Sequence, residues 1–305
     1  MKTKLLACCL LFAGAIAHAG AMTAIFYQPQ NGDRAVPDKQ WPTVFARAHA
    51  RGFDTLVVQW TAHGDPLGGR LSFSVDDAAG HAWLRARLLD ARRAGLQTVL
   101  GLTADYQSFA RLERHGDALA RYFRRLHAQD RAVLDNWQHD ADSATIAGWY
   151  LPLEIDDRRW RDAAPRAALL SYLRQSATMA ADTQRPLYVS TFFAGNMAPE
   201  AYAGLLRDIA RTGVHPWVQD GIGTGKLLPA ERNLYLAPVH RCDAQVAHGL
   251  IYEIFRQTGT DAAFSAEPAG NDMRGLLVQR APCGKDSLFF ELRYLPELNG
   301  ILPIK

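Results

Sequence analysis

The chain has 305 residues, 48% of them hydrophobic and 21% charged, with a formal net charge of +3 at pH 7. That length accommodates one α/β barrel with a large core. The near-neutral balance leaves no electrostatic footprint for nucleic acid or for a strongly anionic surface.

Lys2 and Lys4 precede an apolar run from Leu5 to Ile16, and Ala17-His18-Ala19 supplies small residues before Gly20. This is the layout of a secretory signal over residues 1–19, removed to leave a mature domain over 20–305 in the periplasm or outside the cell. Losing Lys2 and Lys4 lowers the formal charge from +3 to +1. No later segment reaches the roughly 20 apolar residues of a membrane span. Of the four cysteines, Cys8 and Cys9 leave with the leader, so Cys242 and Cys283 meet an oxidising compartment and are expected to pair. No close pair of cysteines or histidines marks a metal site, and no cofactor is expected.

Three helix-patterned segments end in glycine and run directly into strand-like residues: Ala50-Arg51-Gly52-Phe53, Arg93-Ala94-Gly95-Leu96 and Arg211-Thr212-Gly213-Val214. The amphipathic faces between them carry Trp41, Phe45 and Ala48, then Trp83, Leu88 and Ala91, then Leu119, Tyr122, Phe123 and Leu126. Strands are expected over Thr23 to Gln28, Thr55 to Thr61, Thr98 to Asp105, Ile146 to Glu154, Leu187 to Phe193, Pro216 to Asp220, Gly249 to Phe255 and Leu288 to Tyr294. The seventh also fits a helix. Eight strands alternating with helices predict an α/β fold, a single (β/α)₈ TIM barrel.

The fourth strand is the most informative. Alternation puts Ala147, Trp149, Leu151 and Leu153 on one face and Gly148, Tyr150, Pro152 and Glu154 on the other. The first face suits packing under helices. The second suits the barrel interior, with Glu154 opening into the C-terminal mouth, where barrel sites lie. Tyr27, Gln28, Gln59, Trp60, Asp105, Tyr150, Gln219 and Tyr252 stand in strands or at their ends and are candidate substrate contacts, because sugar rings stack on aromatics and hydrogen-bond to amides and carboxylates. Asp220 begins a glycine-rich turn, Asp220-Gly221-Ile222-Gly223, that serves either a turn or a site. Gly221 to Lys226 lacks the full phosphate-loop pattern. With no serine-hydrolase elbow, zincin motif or dinucleotide fingerprint, paired carboxylates remain, and two of them suffice for glycoside hydrolysis.

Trp149-Tyr150-Leu151-Pro152-Leu153-Glu154-Ile155-Asp156, Val218-Gln219-Asp220-Gly221-Ile222-Gly223 and Tyr252-Glu253-Ile254-Phe255 resemble the signature blocks of a bacterial TIM-barrel family catalogued as domain of unknown function 4434. Its members are regarded as glycoside hydrolases, and the resemblance spans nearly the whole mature chain. It implies that Glu154 is the general acid/base at the end of strand four and Glu253 the nucleophile at the end of strand seven. Asp220 rivals Glu253, and Glu291 is a third choice. Leu153 stands where the wider clan of barrel glycosidases usually has asparagine, which puts the usual sugar 2-hydroxyl contact in doubt. The resemblance carries no established substrate; the expected activity is hydrolysis of a bacterial exopolysaccharide or cell-wall glycan. The other class of function is a non-catalytic barrel that binds such a polysaccharide during matrix secretion; a metal-dependent deacetylase ranks third.

Overall fold

A computed structural model describes residues 21–139, 146–260 and 264–304; the leader read over residues 1–19 lies outside them. Eight parallel strands close into a barrel: β1 (Thr23–Tyr27), β2 (Thr55–Val58), β3 (Gln97–Gly101), β4 (Ile146–Ile155), β5 (Leu187–Thr191), β6 (His215–Gln219), β7 (Gly249–Glu253) and β8 (Asp286–Phe290). Closure is direct, since β1 pairs with β2 through Ala24 and Thr55 and with β8 through Thr23 and Ser287. Helices α1 (Trp41–Ala50), α2 (Ala78–Arg93), α3 (Gly116–Gln138), α4 (Ala163–Ala181), α5 (Pro199–Ala210), α6 (Pro229–His240) and the short α7 (Met273–Leu277) separate successive strands. Gly52, Gly95 and Gly213 adopt φ of +100°, +93° and +91° where α1, α2 and α5 stop, a conformation that a side chain disfavours.

Two apolar layers follow from the period-two alternation of the strands. Ala24, Phe26, Val57, Val99, Tyr150, Tyr188, Trp217, Ile251 and Leu288 fill the barrel interior. Trp149, Leu151 and Leu153 join the layer between strands and helices, together with Trp41, Phe45 and Ala48 of α1. Trp149 is fully buried and donates its indole N–H to Thr183 at 2.8 Å. Trp60 is only half-buried at the mouth. Trp149→Ala is therefore expected to cost about 3–5 kcal/mol of stability and Trp60→Ala much less. Denaturant unfolding of the two variants checks this, and a larger loss for Trp60→Ala would contradict the layer assignment.

The expected third strand divides. Beyond Gly101, the segment Thr103–Asp105 pairs with Ala62–Gly64, which also pairs with Leu71–Ser72, forming a small sheet above the ends of β2 and β3. The seventh is a strand. The eighth begins at Asp286, not Leu288, because the Asp286 carboxylate accepts the Met22 N–H and the Trp217 indole N–H at the barrel floor. It ends at Phe290. Leu292–Tyr294 is a 3₁₀ turn drawn in by Arg293, whose guanidinium reaches Glu291, Gln28 O and Pro303 O.

Cys242 and Cys283 form a disulfide with Cα atoms 5.7 Å apart, joining the segments that precede β7 and β8. Closing that loop contributes about 4 kcal/mol in the chain-entropy model. Among the described residues, no helix is long and apolar enough to cross a membrane.

Candidate active site

The end of β4 is anchored on both sides. Asp156 Oδ1 accepts the N–H groups of Arg158 and Arg159 at 2.7 and 2.6 Å, and its other oxygen pairs with the Arg159 guanidinium. Asp157 accepts the Asn196 backbone and side-chain N–H groups at 2.8 and 3.0 Å, tying the β4 end to the segment after β5. These turns fix the strand so that Glu154 keeps the inward parity of Tyr150. Burial raises the Glu154 pKa, and the charge of Asp156 adds to the rise.

Glu154 stands in a cleft of about 620 Å³, open mouth included, lined by Gln28, Gln59, Trp60, His63, Ala104, Asp105, Ser108, Phe109, Leu112, Pro152 and Glu154. The ends of β1 to β4 thus bring together five of the sequence candidates: Gln28, Gln59, Trp60, Asp105 and Glu154. His63, Ser108, Phe109 and Leu112 were missed. His63 stacks on Trp60 with ring centroids 4.8 Å apart, a contact whose only sequence signal was the three-residue spacing. Asp105 is committed to structure, since one oxygen accepts Gln107 N–H and the other Arg111 Nη1, each at 2.8 Å.

Glu253 closes β7 with the parity of Ile251 and so faces inward. Its Oε2 accepts the backbone N–H groups of Gly223 and Thr224 at 2.7 and 3.1 Å, and the residue is 1% exposed. The glycine-rich turn approaches a carboxylate of its own chain. A Cβ on Gly223 would lie 2.7 Å from Phe255 O and 3.0 Å from Glu253 Cβ, so only glycine lets the turn settle there. Asp220 is buried beside it, accepting the N–H groups of Ile222 and Glu253 on Oδ1 at 3.0 and 3.3 Å. Burial pushes the Glu253 pKa up, with the charges of Asp220 and Glu154 adding to the rise and the two N–H bonds opposing it. Burial likewise raises the pKa of Asp220. Neither residue lines the cleft.

Five candidates fall elsewhere. Tyr27 takes the helix-facing parity, because Phe26 is the inward residue of β1; its hydroxyl donates to Asp33 at 2.9 Å and its ring packs on Trp41. Tyr252 is also outward, 5.2 Å from the ring of Phe289, as the inward positions of its neighbours Ile251 and Glu253 require. Tyr150 belongs to the interior layer beneath the mouth, where its hydroxyl and Ser190 Oγ share a hydrogen bond of 2.8 Å. Gln219 ends β6 half-buried and outside the cleft lining. Glu291 has both oxygens engaged, by Gln28 N–H at 3.0 Å and Arg293 Nε at 2.5 Å, and braces the β1–β8 junction. Among the described residues, no group of three or more His, Cys, Asp or Glu is placed to hold a metal ion.

The profile described as Domain of unknown function (DUF4434) matches residues 22–294. The chain belongs to this family. Over 285 residues it is 40% identical to the uncharacterized protein YbcH of Escherichia coli K12, covering 92% of this chain and 93% of that one. The DUF4434 barrel superposes on the crystal structure of a "putative alpha-L-fucosidase" from Bacteroides thetaiotaomicron with a TM-score of 0.62 at 15% identity, covering 89% and 87% of the two chains. It also superposes on a xylanase of Thermoanaerobacterium saccharolyticum with a TM-score of 0.51 at 12% identity, covering 90% and 86%. At these identities the likeness establishes a fold shared with glycosidases.

Proposed function

We propose that this DUF4434 protein is an exported glycoside hydrolase that cleaves a bacterial exopolysaccharide or cell-wall glycan with retention of configuration. The observation that carries the reading is the pair of inward-parity carboxyls at the ends of β4 and β7, Glu154 in the cleft and Glu253 oriented by the N–H groups of Gly223 and Thr224. Glu154, whose pKa is raised by burial, donates a proton to the glycosidic oxygen as the bond from that oxygen to the anomeric carbon breaks. Glu253 attacks the anomeric carbon through Oε1, because Oε2 is held by Gly223 and Thr224. Water then attacks the same carbon, gives a proton to the Glu154 carboxylate and releases Glu253. Trp60 and Phe109 offer apolar edges to the sugar, and Gln28 and Gln59 offer amides.

Asp220 sets the ionisation of the nucleophile. Its negative charge raises the pKa of Glu253, so Asp220→Asn, which keeps an oxygen for the two N–H donors, lowers it. The nucleophile must be ionised, and the acid limb of the rate profile should move down by about one pH unit. A pH profile of kcat/KM checks this, and an unmoved or raised limb would count against the role.

The near-complete burial of Glu253 favours a second reading, in which the barrel binds glycan at the Glu154 cleft without cleaving it. Incubation of the purified protein with a panel of bacterial exopolysaccharides, followed by mass spectrometry of released fragments, separates the two. New reducing ends support the hydrolase; binding without any fragment supports the binder.

A further inference from the structure

Gln59 follows β2 with the inward parity of Val57 and is only 7% exposed. Its backbone N–H is satisfied by Tyr27 O at 2.8 Å, but its side-chain Oε1 is buried with no hydrogen-bond partner. A buried acceptor left unpaired is destabilising, and this one belongs to a side chain that lines the cleft beside Glu154. The cleft lining also has a distinctive charge. Its carboxylates are Asp105 and Glu154, and it contains neither lysine nor arginine. The nearby cations are committed: Arg111 pairs with Asp65 and Asp105, and Arg159 with Asp156 and Glu113. A uronate, sulfated or phosphorylated sugar would bring a further negative charge beside Glu154 with no lysine or arginine in the lining to offset it. A polyhydroxylated uncharged ring brings O–H donors instead.

Building on the glycan-directed reading of this cleft, we infer that it selects an uncharged sugar ring and that Gln59 is a specificity-determining residue whose Oε1 accepts a hydrogen bond from one of the ring's hydroxyls. The half-exposed ring of Phe109 provides an apolar surface for the C–H face of that sugar. The unpaired acceptor in the free protein is then a cost that binding relieves, as at other sites where stability is given up for recognition.

Gln59→Leu, which keeps the size of the side chain and removes its polar atoms, tests this with two readouts. Thermal unfolding of the free protein should shift upward by about 2–5 °C, because an unsatisfied buried acceptor has been deleted. A merely structural glutamine would give an unchanged or lower Tm, and that result overturns the inference. In the second readout, tryptophan fluorescence follows titration with glucose, galactose, mannose, N-acetylglucosamine, glucosamine, glucuronate and galacturonate, with Trp60→Phe identifying the signal that comes from the cleft. At least one uncharged sugar should bind, with affinity about 5- to 20-fold weaker in Gln59→Leu. Tightest binding of a uronate or of glucosamine, or no binding of any uncharged sugar, overturns the assignment. Fragment release from the polysaccharide panel is scored separately. Sugar binding with this pattern but no cleavage retains the inference and removes the hydrolase; cleavage with binding indifferent to Gln59 does the reverse.

Discussion

Glu154→Gln is expected to lower hydrolysis of glycosides with poor leaving groups by about 10²- to 10⁴-fold while leaving binding largely intact. The amide keeps the size of the side chain and most of its hydrogen bonding, but it cannot donate the proton that the departing oxygen needs. Glu154 lines the cleft directly, so the substitution changes a group that faces the cleft and leaves the anchors formed by Asp156 and Asp157 in place. Steady-state kinetics on a natural glycan and on an activated aryl glycoside distinguish this role, because the aryl group leaves without protonation. The loss in kcat/KM should be large on the first substrate and small on the second. Full activity on both would exclude Glu154 as the acid.

The second large effect is expected at Glu253. Replacement by alanine removes the only inward carboxylate of β7 and should lower turnover by about 10³- to 10⁵-fold on every substrate, activated or not, because attack on the anomeric carbon is lost. Added azide should restore part of the rate with the activated glycoside by attacking in place of the carboxylate, giving a glycosyl azide of inverted configuration. A loss confined to poor leaving groups, with a glycosyl azide of retained configuration, would show that the acid and the nucleophile have been exchanged, because azide would then be attacking a glycosyl-enzyme. Circular dichroism of this variant is a necessary companion, since Glu253 also organises the Gly223–Thr224 turn.

The barrel was legible in the sequence wherever the two strand faces differ in chemistry. In β4 the alternation of Trp149, Leu151 and Leu153 with Tyr150 and Glu154 separates the helix-facing layer from the interior, and the structure keeps that division. In β1 every residue from Ala24 to Tyr27 is apolar or aromatic and nothing local marks the inward face, so Tyr27 was placed in the mouth on residue type alone. Tyr252 was avoidable. An inward Glu253 forces its neighbour outward. The wall of the cleft around His63 and Asp105 depends on pairing between Ala62–Gly64 and Thr103–Asp105, a contact across about 40 residues that no local pattern encodes. The 3₁₀ turn after β8 depends on Arg293 reaching Glu291 and Gln28, which is also invisible in periodicity. The glycine-rich turn after β6 was recognisable as a close approach of backbone to a partner. That the partner is Glu253 required the packing of β6 against β7.

The most direct test of the two-carboxylate account is to trap the covalent intermediate. The protein is treated with the 2-deoxy-2-fluoro glycosyl fluoride of the sugar that it cleaves, and the labelled peptide is mapped by mass spectrometry. The account predicts one glycosyl adduct, on Glu253. An adduct on Glu154 or Asp220, or turnover that yields the inverted anomer with no adduct, would contradict it.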